Sequence, residues 1–299
     1  IVQYADQKPK QVGDEVIFTT MNLAEKKPEK VTAVLRKIGI HCYIYVQKGK
    51  SVSNSAISRT CQTFDEKIYP TTTSSFGSEW SPGIDNDSRI SLLFLDIKDT
   101  YDPKAGKKSF VAGYFYAGDE YTRNQNPNSN EREMLYLDVY PGNPDKPGYM
   151  STMAHEFQHM IHWHHDAKEV TWVNESMSQL ATFLNGFDHP SQVFAFIRNS
   201  DNSMLGWTDR DMLANYGQVY LFAYYTAFHF GPIAKDRQTF LRALVESDAR
   251  GSRGYLAGLK KLDVNVSFGE IFRNFCVANF INDPNINKGI YGYDKMLRK

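Results

Sequence analysis

The feature that most constrains this chain is the segment His155-Glu156-Phe157-Gln158-His159, an HExxH motif. On an α-helix, residues four apart are separated by about 40° around the axis and about 6 Å along it, so both imidazoles lean towards one point. Two imidazoles at that spacing suit a tetrahedral zinc ion. Glu156 projects close to the same face, where it can accept a proton from a water activated by the metal.

The residues around the motif predict a buried helix that runs from Ser151, as N-cap, to about His165. Its apolar residues occur on most sides of the helix: Met153, Ala154, Phe157, Met160, Ile161 and Trp163. Burying two imidazoles and a carboxylate costs stability unless something satisfies them. The pattern therefore favours a metal site over an ordinary surface helix.

Zinc needs a third protein ligand, and one candidate is Glu175, in the segment WVNES. We expect Asn174 to cap a second helix ending near Gly186, and the loop 166–173 is long enough to reverse the chain. A carboxylate there completes a His₂Glu set and leaves a fourth position open for water. The alternative is that Glu175 only complements the helix dipole, as glutamates in the first turn of a helix often do. The spacing of Glu175 from the HExxH motif favours the ligand role.

The other candidate is His165, ten residues after His155, which is the metzincin spacing. In that pattern a glycine ends the helix, whereas this chain has His162 at the position. If the helix continues, His165 lies roughly 9 Å beyond His159 along the axis, which is too far to share an ion. We interpret His162 as lining the site and the histidines that follow it as complementing the helix C-terminus.

Strand patterns dominate the first half of the chain and helical patterns the second. We predict strands at 41–46, 90–97, 110–116 and 134–140, a helix at 55–69, and helices at 151–165, 174–186, 211–230, 236–249 and 267–281. Ser267 and Glu270 form a capping box. The fold class is α+β, with a strand-rich lobe over 1–165 that ends in the HExxH helix and a helical lobe over 166–299 that carries the third ligand.

Several segments resemble the gluzincin metallopeptidases, in particular the hyicolysin family of bacterial neutral metallopeptidases, with a more distant likeness to thermolysin. They are FDEKIYP (64–70), FGSEWSPGIDNDSRISLLFLDI (76–97), GYFYAGDE (113–120), HEFQHMIHW (155–163), WVNES (172–176) and NYGQVYLFAYY (215–225). The resemblance implies a thermolysin-like zincin fold with one catalytic Zn²⁺. It assigns His155, His159 and Glu175 as zinc ligands and Glu156 as the catalytic acid and base.

The chain departs from the gluzincin pattern in the residues after the third ligand. It has Ser176 where related enzymes have glycine, and Gln179 and Thr182 where they carry a supporting carboxylate. Such partners orient the ligating imidazoles. The groups that support the zinc ligands are therefore left open by the sequence.

Peptide hydrolysis also needs a hydrogen-bond donor for the oxyanion that forms on the scissile carbonyl. Our candidate is Tyr216, which resembles the tyrosine that faces zinc in related aminopeptidases, and Tyr220 is the alternate. A packing role for Tyr216 fits the sequence as well.

We therefore expect a zinc endopeptidase active near neutral pH, because no anchor for a free peptide terminus stands out. The peptide substrate would lie along an exposed strand, either 110–116 or 134–140. The alternatives are a non-catalytic binding protein that keeps the zincin fold and a zinc hydrolase of a non-peptide ester or amide. The intact Glu156 favours an enzyme.

Charge and cysteine usage narrow the possible partners and compartment. Lys plus Arg equal Asp plus Glu at 34 each, without a basic stripe for nucleic acid, and no apolar run is long enough to span a membrane.

Because the chain opens without Met or a leader, we expect a secreted protein, with periplasm or cell surface as alternatives. Cys42 and Cys61 either form a disulfide or, with Cys276, are three buried thiols.

One acidic run raises the question of calcium. The segment Asp85-Asn86-Asp87 lacks the spacing and the distant glutamate of an EF-hand loop. We predict a polar turn before the strand at 90–97. Bound Ca²⁺ has no further support in the sequence.

Overall fold

The computed structural model describes residues 9–207, 210–231 and 240–293. The described chain groups into two compact units. The first runs to Thr73 and then covers Ser78–Ile161, and the second contains Ser74–Gly77 and the residues from His162 onward. The predicted domain boundary at residue 165 remains a prediction.

A six-stranded mixed sheet forms the first unit, in the order β1-β2-β3-β4-β6-β5. The strands are β1 (Glu15–Asn22), β2 (Lys27–Ile38), β3 (Cys42–Gln47), β4 (Ile90–Leu95), β5 (Gly113–Phe115) and β6 (Met134–Asp138). β3, β4 and β6 run parallel, and the other neighbours pair antiparallel. The four strands expected from the sequence are all present, although β5 has only three residues.

The first two strands escaped the sequence analysis. In β2 the buried residues Val31, Ala33 and Leu35 alternate with half-exposed ones, and charged residues lie at both ends of the strand. That composition weakens the strand signal. Together with Phe18 of β1, Ala33 and Leu35 belong to the hydrophobic core on one face of the sheet.

The predicted helix at 55–69 is three consecutive segments. Helix α1 (Asn54–Thr63) is capped by Ser53, whose hydroxyl accepts a hydrogen bond from Ala56 N at 3.1 Å. A π-helical turn (Phe64–Ile68) follows, and α2 (Tyr69–Phe76) continues the chain. The π turn rotates the side chains that follow it, so the helix-period pattern did not reveal where α1 ends.

The HExxH motif lies on α3 (Pro147–His165). Five of the six apolar residues named above, Met153, Ala154, Phe157, Met160 and Ile161, are fully enclosed as expected, whereas Trp163 is half-buried. The predicted cap was wrong, since the helix begins four residues before Ser151, whose hydroxyl donates to Gly148 O instead.

The second unit is helical in its described residues. Its helices include α4 (Thr171–Leu184), α5 (Gln192–Arg198), α6 (Met212–His229), α7 (Ser252–Lys260) and α8 (Phe268–Ile281). Asn174 lies inside α4 and is not its cap. The Ser267 cap is confirmed, since its hydroxyl accepts from Glu270 N at 3.2 Å. Part of the predicted helix 236–249 lies outside the described residues, and 240–245 are helical.

A mixed sheet followed by a mainly helical region confirms the predicted thermolysin-like α+β fold class. Among the described helices, none has both the length and the apolar character that crossing a bilayer requires.

Candidate metal site

Helix α3 presents two histidines of the motif to a common point. The Nε2 atoms of His155 and His159 are 3.0 Å apart, and the two rings are inclined at 83°. This is the consequence of the i, i+4 spacing on a regular helix. Two imidazole nitrogens at this separation provide half of a tetrahedral ligand set.

Glu175, in the first turns of α4, supplies the third donor. Ligand atoms of His155, His159 and Glu175 all lie within 4.8 Å of one another, and the three residues are half-buried. Two imidazole nitrogens and one carboxylate oxygen fit the catalytic zinc pattern, which leaves one position for water. Among the described residues, the group with this donor set contains Glu175 and not His165.

The turn between α3 and α4 is held by ionic contacts that the sequence did not suggest. Arg250 donates to both carboxylate oxygens of Asp166, from Nε at 2.8 Å and from Nη2 at 3.0 Å. Burial raises the pKa of Asp166, but the hydrogen bonds and charge of Arg250, together with a hydrogen bond from Lys168 N, bring it below its ordinary value. Next to this pair, Glu169 accepts from Gly251 N at 2.9 Å. These contacts hold the connection that leads into Glu175.

Glu156, the predicted general base, is almost fully buried at 8% exposure. Its Oε2 accepts a hydrogen bond from the backbone N–H of Phe115, at 3.1 Å. Phe115 is the last residue of β5, so the edge of the sheet holds the carboxylate of the motif. The sequence does not reveal this partner, because a backbone donor is not tied to any residue type.

Tyr216 lies beside the third candidate ligand. Its hydroxyl donates to Glu175 Oε1 at 3.3 Å, and its ring packs edge-on against Trp207 with centroids 5.1 Å apart. The alternate, Tyr220, is completely buried, and its hydroxyl forms a hydrogen bond with His189 Nδ1. The geometry therefore favours Tyr216 as the phenol that acts near the ligands.

Two of the positions that depart from the gluzincin pattern, Ser176 and Thr182, have hydrogen-bond partners on α4 and α7. Ser176 is fully buried, with its hydroxyl 2.8 Å from Val173 O and from the Tyr255 hydroxyl. Thr182 donates to Gln179 O at 2.8 Å, within its own helix. Ser176 therefore serves packing, and the Thr182 hydroxyl satisfies the backbone of α4.

A buried polar network fixes the segment that follows β5. Tyr136 donates to Asp119 Oδ2 at 2.6 Å, and Asn130 donates to the other Asp119 oxygen and to the Tyr136 hydroxyl. Burial raises the pKa of Asp119 to about 6, although these hydrogen bonds oppose the increase. Tyr114 of β5 stacks on Tyr136, with centroids 4.3 Å apart. The network thus supports the strand that contacts Glu156.

Buried carboxyls also lie close to this network. Burial, with the charges of Glu133 and Asp119, raises the pKa of Glu120 to about 8. Burial likewise raises the pKa of Glu133 to about 7.

The acidic run Asp85-Asn86-Asp87, which raised the question of calcium, is engaged by a cation, since Lys10 contacts Asp87 at 3.0 Å and Asp85 at 3.5 Å.

Comparison with known proteins adds one relative and no family model. A search against protein-family models finds no match. Neutral metalloprotease ShpI of Staphylococcus hyicus is 26% identical over 288 residues, which cover 89% of this chain and 63% of that protein. The chain thus spans less than two-thirds of the length of the relative it matches. The similarity confirms the likeness to neutral metallopeptidases of the hyicolysin type that the motifs indicated.

Proposed function

We propose that this chain, which resembles neutral metallopeptidases of the hyicolysin type, is a zinc-dependent endopeptidase with Glu156 as its general base. The observation that carries the proposal is the convergence of His155, His159 and Glu175, whose donor atoms lie within 4.8 Å of one another. The sequence similarity to a neutral metalloprotease supports a metal-dependent peptidase independently of that geometry.

The proposed roles follow from the chemistry of the side chains. When bound by His155, His159 and Glu175, zinc would supply Lewis acidity that favours ionisation of a water and polarises a carbonyl. Glu156 takes the proton of that water and passes it to the leaving amine. Its hydrogen bond from Phe115 N keeps the carboxylate in one orientation. Tyr216 donates its phenol proton in a hydrogen bond to the developing oxyanion.

The sheet topology supports one of the two strands considered for substrate binding. β6 lies between β4 and β5, so both of its sides are paired. β5 is the last strand of the sheet in the described residues, and it also contacts the general base. We therefore propose that an extended peptide pairs with β5 and places its scissile bond next to Glu156.

We further propose that the enzyme acts outside the cell on protein substrates, as the hyicolysin-type resemblance implies. Binding along β5 requires an extended chain and no free terminus, which favours endopeptidase over exopeptidase action.

The proposal is tested with unfolded casein and the purified protein. Casein should be cleaved, 1,10-phenanthroline should stop cleavage, and added Zn²⁺ should restore it. Glu156→Gln should keep its zinc and lose turnover, because the amide cannot accept the proton. Cleavage that resists the chelator would refute zinc dependence. Hydrolysis of small esters without casein cleavage would instead indicate a different zinc hydrolase, and zinc binding without hydrolysis would indicate a binding protein.

A further inference from the structure

Two cysteines of the first unit lie side by side in its interior. Cys42 begins β3 and Cys61 lies in α1, and their sulfur atoms are 3.9 Å apart. Cys42 is fully buried and Cys61 is 4% exposed. The proposed peptidase chemistry uses neither thiol.

The surroundings hold the two cysteines together tightly. Asp65 accepts from the backbone N–H groups of Ile40 and His41, at 2.7 and 2.8 Å, and so ties the residues before Cys42 to the π turn that follows α1. Gly39 lies so close that a Cβ there would approach Cys61 Sγ to 2.7 Å. Strand and helix are therefore held in fixed register at the two thiols.

We propose that Cys42 and Cys61 form a disulfide bond when the protein matures in an oxidising environment. An S–S bond is about 2.05 Å long, so the sulfurs, 3.9 Å apart, must approach each other by roughly 1.9 Å for the bond to form. Oxidising compartments are where such bonds persist.

A metal ion is the competing occupant, because Cys42, Cys61 and Asp65 also bring donor atoms within 4.8 Å. Both carboxylate oxygens of Asp65, however, already accept backbone hydrogen bonds. A buried metal ion would then be held by two thiolates and by a carboxylate whose two oxygens already accept backbone hydrogen bonds. The disulfide satisfies both sulfurs without a further ligand.

Formation of the bond follows thiol–disulfide exchange with a low-molecular-weight disulfide such as oxidised glutathione. The attacking group is the thiolate of either cysteine, and both orders give the same disulfide, for example with Cys61 first. Its thiolate attacks one glutathione sulfur and releases one glutathione. Cys42 then attacks the mixed disulfide at Cys61 and releases the second glutathione. Two electrons and two protons pass to the oxidant, in the folding chain before the thiols are enclosed.

The crosslink would stabilise the packing behind the HExxH helix. The π turn after α1 carries Phe64, whose ring lies 5.4 Å from that of Phe157 on α3, and Tyr69 stacks on Phe157 at 5.5 Å. A bond between β3 and α1 restricts the unfolded chain and fixes α1, which leads directly into the residues that make these aromatic contacts.

Thiol counting tests the proposal, and the exposed Cys276 serves as an internal standard. The full chain is refolded with reduced and oxidised glutathione, denatured with a chelator present, and alkylated with and without reductant. We expect one reactive thiol without reductant and three with it, and a peptide pair joining Cys42 to Cys61. Three thiols in both samples, which is also the result expected if a metal held the two thiols, or a bridge to Cys276 would overturn the proposal.

Stability gives a second measurement. Reductant should lower the Tm of the wild type by about 5 °C, the size expected for a loop of this length in a chain of this size. Cys276→Ser should show the same decrease. Cys42→Ala should have a Tm that reductant does not change. An equal response of Cys42→Ala and wild type to reductant would contradict the assignment.

Discussion

The backbone N–H of Phe115 donates a 3.1 Å hydrogen bond to Oε2 of Glu156, and so links the edge strand β5 to the carboxylate of the HExxH motif. The strand proposed to bind the substrate and the group proposed to move the proton are thus positioned by one contact. Alignment of the peptide and orientation of the base are expected to depend on each other.

Glu156→Asp tests this coupling. The shorter side chain loses contact with Phe115 N and no longer reaches the proton it must accept. We expect kcat to fall by about 10²- to 10⁴-fold, the range typical of general acid–base catalysis, with zinc content unchanged. Steady-state kinetics on a fluorogenic peptide and metal analysis provide the measurements. A variant with near wild-type kcat would show that another group is the base.

Tyr216→Phe tests the oxyanion donor. Loss of the phenol should reduce kcat by about 10²-fold while KM changes little, because the hydrogen bond forms only as charge develops. The matched control is Tyr220→Phe, which removes the same atom from a buried hydrogen bond with His189. That control should lower Tm but leave kcat within about twofold, since in our assignment Tyr220 serves packing. Equal kinetic losses in the two variants would argue against a specific role for Tyr216.

Arg250→Ala should destabilise the connection between α3 and α4. It leaves the Asp166 carboxylate, with 7% of its side chain exposed, without its cation. We expect a loss of about 1–3 kcal/mol in the free energy of unfolding, the cost of leaving a charged group without its hydrogen bonds, and faster zinc loss to a weak chelator. Arg253→Ala, at an exposed position in the following helix, is the control and should have little effect. Chemical denaturation and zinc release kinetics distinguish the two.

Glu120→Gln tests the buried carboxyls through pH. The folded protein raises the pKa of Glu120 from 4.5 to about 8, chiefly by burial. Between pH 4.5 and about pH 8, the Glu120 carboxyl is protonated in the folded state and ionised in the unfolded state. The free energy of unfolding of the wild type therefore falls as pH rises through this range. The neutral amide avoids that loss.

We expect Glu120→Gln to match the wild type in stability at pH 5 and to exceed it by about 2 kcal/mol at pH 9. This value is smaller than the full pKa shift of Glu120 implies, because the protein around the ionised carboxylate can relax. Glu66→Gln, at an exposed position, should show no such trend. Thermal unfolding at a series of pH values measures the difference. A gain that is equal at pH 5 and pH 9 would exclude ionisation of Glu120 as its cause.

Sequence patterns predicted the elements that bury apolar side chains with a regular period. β3, β4 and α3 were identified because their residues are nearly all apolar or follow a helical repeat. β1 and β2 were missed, and in β2 the charged residues at both ends of the strand weaken its strand pattern. Helix starts were misplaced at Ser151 and Asn174, since residues that favour caps also occur inside helices when their side chains find other partners.

The parts of the site that depend on the chemistry of particular side chains could be predicted from the sequence. HExxH predicted two donors through helix geometry, the spacing after the motif favoured Glu175 as the third, and the resemblance assigned the same three residues. The Phe115 contact depends on a backbone group, and the Arg250 contact joins residues 84 positions apart. Neither leaves a local pattern in the sequence.

Zinc content of purified variants tests the metal site most directly. Wild type and His165→Ala should each retain about one zinc per chain after dialysis against a weak chelator, because three ligands remain. Glu175→Ala should retain less than about one-tenth of that amount, since two imidazoles alone bind weakly. Full zinc occupancy in Glu175→Ala, with loss in His165→Ala, would contradict the His155–His159–Glu175 site.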